Sequence, residues 1–266
     1  MEEGLHITLA SERLFTLWGL PITNSLITTW AVMALLLVSA WLIGRKVSLK
    51  PGKAQSAVEM FFEYLIQMME GTLGSRKLAL RYFPLIATIF IFIFTANMFD
   101  FLPLFGTVGI REQGELVPLF HAVNADLNTT LALAIISFFV IEVSGIATLG
   151  VLKYGSKFVN IRGGFMGLMV GFLEIIGNLA RLISFSFRLF GAIFAGEVLL
   201  LVIAHFLPYI ASVPFMAFEA FIGLLQAAVF AILTMAFIKI AIEEPHTSHS
   251  EKVPNHKIQT SNEAHV

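Results

Sequence analysis

Arg188 lies inside the apolar stretch Leu182–Ile203, where a permanent charge is hardest to accommodate. An arginine at the centre of a membrane helix costs about 2.5–3.5 kcal/mol on insertion scales. Its guanidinium does not shed a proton to escape that cost. Such a residue faces a protein interior or a water-filled path, and by default it marks ion or proton traffic. Glu174, Arg181 and Arg188 recur every seven residues, so a helix carries them in one stripe that drifts by about 20° per heptad. Ser184 shares that face, and Glu197 points roughly to the opposite side. A second apolar segment carries Glu219 and Gln226, again seven apart. Folding the two segments antiparallel about Pro208 sets Arg188 opposite Gln226 and Glu197 opposite Glu219.

The chemistry follows from charge. A carboxyl group brought close to a fixed cation is favoured in its ionised form. A moving acid that passes Arg188 must therefore give up its proton, whereas Glu197 and Glu219 can carry protons. The set reads as a proton path on one side of a cationic barrier. The competing reading is a set of structural ion pairs, which stands level with function for Glu174 and Arg181. Asp100 and Asp126 line a path or simply cap the ends of membrane spans. Glu142 fits a structural role, or a stripe exposed to another subunit, better than proton relay.

The elements that hold these residues are membrane helices. Hydrophobic residues make up 57% of the chain and charged residues only 13%, far from a soluble composition. Several apolar runs reach the roughly 20 residues a helix needs to cross a bilayer. The expected spans are about 25–44, 82–101 and 128–149, followed by a long hairpin over 163–242. The fold class is all-α: a polytopic helical membrane protein with about five membrane helices. Between the first two spans, Val58, Phe61, Phe62, Leu65 and Met69 oppose Gln55, Glu59, Glu63 and Gln67. That pattern predicts an amphipathic helix, lying at the interface or packed on a partner. Residues 102–125 read as a loop.

Segment 163–207 is too long for a simple crossing. Its roughly 45 residues would extend about 67 Å as helix, against a bilayer core of about 30 Å. It is steeply tilted or broken, and the absence of proline before Pro208 favours a long tilted helix. Gly163, Gly167 and Gly171 have the spacing that allows close helix contact.

The domain organisation is an N-terminal segment 1–24, a membrane domain 25–245, and a polar, aperiodic tail 246–266 expected to be disordered. The start, with Glu2 and Glu3, has no basic region before its first apolar run, so that run is expected to be a retained span rather than a signal peptide. Lys and Arg crowd the loops after spans one and three and are sparse elsewhere. The positive-inside rule then puts the N-terminus outside and the tail in the cytoplasm. The chain has no cysteine, hence no disulfide or thiolate chemistry. No phosphate loop, zinc-protease motif or nucleophile elbow is present, so no cofactor is expected and any ATP chemistry resides in a partner. His246 and His249 beside Glu243 read as a solvated tail rather than a metal site.

At these residues the chain resembles subunit a of F-type ATP synthases. SFSFRLFGAIFAGE is similar to that family's arginine helix and FIGLLQAAVFAILT to its partner helix. NMFDFLP, NADLNTTLALA and ITNSLITTW add support over roughly residues 20–245. The resemblance implies that Arg188 faces the carboxylates of a rotating c-ring. It implies that Glu197, Glu219, Gln226, Asn97, Asp100, Asp126 and Asn128 serve the outer half-channel. Ser184, Glu174 and Arg181 would then lie towards the cytoplasmic exit. Glu219 stands where some members have His, and Ala192 where some have Asn. Implied partners are c-ring subunits, peripheral-stalk b subunits, the other ATP synthase subunits and the lipid bilayer, with no nucleic acid. The implied location is a bacterial plasma membrane and the implied role is non-catalytic proton translocation coupled to ATP synthesis elsewhere. The rival expectation is an independent secondary transporter or channel using Arg188 as counter-charge, which would transport as the purified chain alone.

Overall fold

The computed structural model describes residues 11, 13–17, 19–45, 47–48, 50–102, 109–112, 115–158, 164–207 and 212–243. Pro208, Gly163 and the tail 246–266, including His246 and His249, lie outside the described residues. A short antiparallel hairpin, β1 (Arg13–Leu17) with β2 (Leu20–Thr23), leads into α1 (Asn24–Arg45). Then come α2 (Lys53–Leu73), α3 (Arg76–Phe99), a second hairpin of β3 (Gly109–Glu112) and β4 (Glu115–Pro118), and α4 (Leu127–Leu149). The chain continues through α5 (Val151–Phe158), α6 (Gly164–Phe206) and α7 (Ser212–Ile242). Helices α1, α3, α4, α6 and α7 are the five long and apolar enough to cross a membrane.

Helix α7 is the hub. It buries Gly223, Gln226, Ala227, Phe230, Ala231, Thr234, Met235, Ile238 and Ala241 in the bundle. One core layer joins Ile66 and Met69 of α2, Tyr82 and Ile86 of α3, Ile141 of α4 and Met235 and Ile238 of α7. A second joins Ile89 and Ile93 of α3, Ala134 of α4, Phe185, Leu189 and Ile193 of α6 and Phe230 of α7. Leu65, Ile66 and Met69 of α2 are thereby buried within the chain itself, whereas Phe61 stays exposed. Gly74 ends α2 in the left-handed region (φ 72°) and turns it back onto α3, its N–H meeting the Glu70 carbonyl at 2.8 Å. Only the start of α1 is fastened: Asn24, Ser25, Thr28 and Val32 are buried, whereas Leu37 and Trp41 face outwards.

Two departures from the sequence reading and one agreement matter for the site. Segment 102–125 is not a plain loop, because it holds the β3–β4 hairpin and because Ala122, Val123, Asn124 and Ala125 are buried against the helices. The apolar pair Ala122–Val123 gives that segment a face to bury, and its polar side chains find partners there. Helix α5 was not anticipated; Gly150, at φ 81°, reverses the chain after α4 so that Tyr154 packs over Gly145. A Cβ at Gly145 would sit 2.3 Å from that ring. Third, α6 is continuous, as favoured, with Gly167 and Gly171 both buried.

Candidate functional site

The α6–α7 hairpin places the charged residues. Phe185 of α6 stacks at 5.1 Å on Phe230 and 5.5 Å on Phe237 of α7, fixing the register. Further along, a Cβ on Gly196 would lie 2.8 Å from a Glu219 carboxyl oxygen. Glycine at 196 is what lets the Glu219 carboxyl lie flat against α6. Glu219 thereby joins Glu197 and Asp100 around one cavity of about 460 Å³, whose remaining lining is mostly apolar, including Ile193, Leu200 and Met216. Asp100 Oδ1 and Glu219 Oε2 are buried without a hydrogen-bond partner among the described residues. Glu219 also edges a smaller apolar cavity of about 260 Å³ that runs past Gly196 to Ala192. Three carboxyls around one cavity can pass a proton among themselves, since each can be acid or base as its neighbour changes state.

A different cleft, of about 270 Å³, holds the cations. Arg181, Ser184 and Arg188 line it with Phe185 from α6 and Leu233 and Phe237 from α7. Arg181 rests its guanidinium 4.1 Å from the Phe237 ring centroid, a cation–π contact. Arg188 is exposed and has no hydrogen bond or ion pair among the described residues. The expected facing of Glu197 and Glu219 is met. No hydrogen bond joins Arg188 to Gln226 among the described residues: Gln226 is buried on the turn of α7 that carries Ala227, while Arg188 is exposed in a cleft it shares with Leu233 and Phe237. The reason is helix rotation. Gln226 follows the buried stripe of α7, and the midpoint rule from the hinge says nothing about which way a side chain turns.

Asn97, Asp126, Asn128 and Gln226 do not line the acidic cavity. Asn97 donates to the Gly223 carbonyl at 2.9 Å and accepts from Asn124 at 2.7 Å, tying α3, the buried segment and α7 together. Asp126 is the N-cap of α4, accepting the Asn128 N–H at 2.9 Å and the hydroxyls of Ser11 and Ser25. The Asn128 side chain itself is exposed. Burial pushes the Asp126 carboxyl up, but the bonds from Ser11, Ser25 and Asn128 more than offset it and leave it below the usual carboxylate value. A depressed folded-state value stabilises above the unfolded value of about 4 and fades as pH falls through the folded one. Asp126→Ala is therefore expected to destabilise by about 1 kcal/mol at neutral pH, the usual worth of an N-cap. In thermal melts of the detergent-solubilised complex, the gap from wild type should close on acidification below about pH 4.

Glu142 is paired, accepting from Tyr154 Oη at 2.8 Å and Asn178 Nδ2 at 3.2 Å. Burial, then Glu142, push the Tyr154 phenol above its ordinary value, so it remains a donor at neutral pH. Glu174 and Arg181 lie close enough to Tyr154 to act on it electrostatically, placing the three in one neighbourhood. Glu142 thus bridges α4, α5 and α6 as an acceptor.

One residue escaped the sequence reading. His121, in the buried segment before α4, lies with its Nδ1 3.8 Å from Glu197 Oε1. Its backbone N–H donates to Thr28 Oγ1 at 3.1 Å. The only hint in the chain is a titratable residue in the polar run HAVNAD just ahead of a span. Among the described residues no group of three or more His, Asp or Glu is placed to hold a metal ion.

The family model described as "ATP synthase A chain" matches residues 26–239, which takes in both cavities and every helix but the flanking turns. The chain belongs to that family. The ATP synthase subunit a of Moorella thermoacetica is 34% identical over 226 residues, covering 85% of this chain and 93% of that protein. That of Campylobacter jejuni serotype O:2 is 36% identical over 217 residues, covering 81% and 89%. A third, from Desulforamulus reducens, is 33% identical over 237 residues, covering 85% and 82%. Membership in the subunit a family makes this a membrane subunit of an ATP synthase, serving proton transport for ATP synthesis alongside the other subunits.

Proposed function

We propose that this chain conducts protons through two half-channels to and from the carboxylates of a rotating c-ring, with no catalytic step of its own. The observation that supports this most directly is the separation of the two cavities. Carboxyls Asp100, Glu197 and Glu219 share one cavity, and Arg181, Ser184 and Arg188 share another, further along the same hairpin. Protons enter from the outer side at the acidic cavity, and Glu219 hands them along α6 past Gly196 and Ala192 to a rotor carboxyl. A loaded, neutral carboxyl moves through lipid; on reaching Arg188 it ionises and its proton leaves by the Arg181–Ser184 side. Asn97, Gln226, Asp126 and Asn128 serve by holding the walls of the outer path in place. Each proton moved down 100 mV releases about 2.3 kcal/mol, so several are needed per ATP made in the catalytic head.

The orientation that fits is N-terminus outside and C-terminus cytoplasmic in a bacterial plasma membrane, with peripheral-stalk b subunits holding the chain against rotation. Glu197→Gln tests the path. In membranes stripped of the catalytic head, passive proton conduction driven by a potassium diffusion potential should fall by about 100-fold or more, as expected for loss of an enclosed proton-transfer group. Wild-type conduction in that variant would overturn the path.

A further inference from the structure

His121 joins two acidic sites that are otherwise separate. Its imidazole acts electrostatically on Asp126, the capped carboxylate at the start of α4, and its Nδ1 lies 3.8 Å from Glu197 Oε1 at the acidic cavity. Its neighbour Ala122 lines that cavity. The His121 side chain is 16% exposed, so the ring is mostly enclosed yet still reachable by water. It is also held: Thr28 of α1 fixes its backbone N–H, and the Asn124–Asn97 bond anchors the same segment three residues on. A ring so held, 3.8 Å from the Glu197 carboxyl, which is itself 41% exposed, has the position of a proton donor and acceptor.

We infer that His121 is a protonatable group of the proton path, exchanging protons with Glu197 at the acidic cavity; this rests on the path proposed above. The step balances within the ring. A proton from water binds Nε2, the Nδ1 proton passes to the Glu197 carboxylate, and the neutral imidazole is restored as its other tautomer. The 3.8 Å gap is longer than a hydrogen bond and is closed by one intervening water or a small ring rotation. Imidazole suits the task because its charge changes near neutral pH, whereas a lysine or arginine there would stay charged.

The titratable groups facing the ring are Glu197 from α6 and Asp126 from its own segment. Asp100 and Glu219 follow behind Glu197 across the cavity. From α1 the facing residue is Thr28, which does not titrate. Protonated His121 also sits between two carboxylates, so the pair with Glu197 is attractive only when the ring is charged and relaxes when it has passed its proton on. That alternation is what a relay needs and a fixed counter-charge lacks.

The experiment uses the assembled complex in everted vesicles stripped of the catalytic head, with passive proton flux measured across pH. His121→Gln should assemble normally and cut flux by at least about tenfold, less than the roughly 10²–10⁴ an enclosed proton-transfer group supplies, because water still reaches the site. His121→Arg should be as slow, and added imidazole should restore flux in His121→Ala with a pH dependence near that of free imidazole. Wild-type flux in both the Gln and Arg variants would overturn the inference. So would full rescue by Arg, which would make His121 a mere counter-charge. Glu197→Gln run in parallel separates the two levels of argument: if it blocks flux while the His121 variants do not, only the relay fails; if it conducts like wild type, the path itself fails.

Discussion

Arg188→Ala should abolish ATP-driven proton pumping in membrane vesicles while the complex still assembles and the head still hydrolyses ATP. Assembly should survive because Arg188 makes no hydrogen bond or ion pair with the described residues. Removing it even relieves an insertion cost of about 2.5–3.5 kcal/mol. On the proposed mechanism coupling should fail because the Arg188 guanidinium, lining the cation cleft, is the charge that makes a passing rotor carboxyl ionise. Without it, a carboxyl can pass while still protonated, and rotation is no longer tied to net proton transfer. Arg188→Lys is expected to fall between the two, since an ammonium keeps the charge but can lose its proton in a dry site and lacks the planar fork. Pumping at the wild-type rate in the alanine variant would sink the barrier mechanism, whatever the conduction assays on Glu197 and His121 return.

Gly223→Val is expected to have the second-largest effect, through assembly rather than transport chemistry. A Cβ at Gly223 would lie 2.9 Å from Asn97 Cβ and 3.3 Å from its amide nitrogen. Helices α3 and α7 would have to separate, breaking the Asn97 bond to the Gly223 carbonyl and disturbing the Asn124 bond behind it. Overpacking costs about 1–3 kcal/mol, and each orphaned buried polar group costs about 1–3 kcal/mol more. Together these reach about 3–5 kcal/mol, a large part of any domain's margin. Glu219 sits one turn before Gly223 and Gln226 one turn after, so conduction should be lost with stability. The measurement is the yield and melting temperature of the detergent-solubilised complex, with Gly223→Ala as the milder member of the series. A valine variant that melts with wild type would show that the two helices are not locked here.

Much of this was legible before any coordinates. The 57% hydrophobic composition and the lengths of the apolar runs required membrane helices, because backbone groups in lipid must bond within their own helix. The α2 stripe of Val58, Phe61, Phe62, Leu65 and Met69 announced an amphipathic helix; Leu65 and Met69 are buried, whereas Phe61 stays exposed. Arg188 could be singled out from cost alone. The match of Glu197 to Glu219 followed from counting residues out from the hinge, since antiparallel helices rise equally per residue.

What counting could not supply was rotation and long-range closure. The hinge arithmetic set Gln226 against Arg188; Gln226 belongs to the buried stripe of α7, Arg188 is exposed, and no hydrogen bond joins them among the described residues. The bonds of Asn97 to Gly223 and of Asp126 to the Asn128 N–H, a lock between helices and a helix cap, could not be read from a linear sequence, because partners lie as far as 126 residues away. His121 was invisible for the same reason: nothing near it in sequence names Glu197, which reaches it only when α6 packs beside the segment before α4. The sequence established that this chain must hold a charge in the membrane and must therefore have a partner for it, since local free-energy costs are written residue by residue. Which carboxyls share a cavity, and which cation faces away from them, was decided by tertiary packing, since that depends on helix rotation and on contacts between distant parts of the chain.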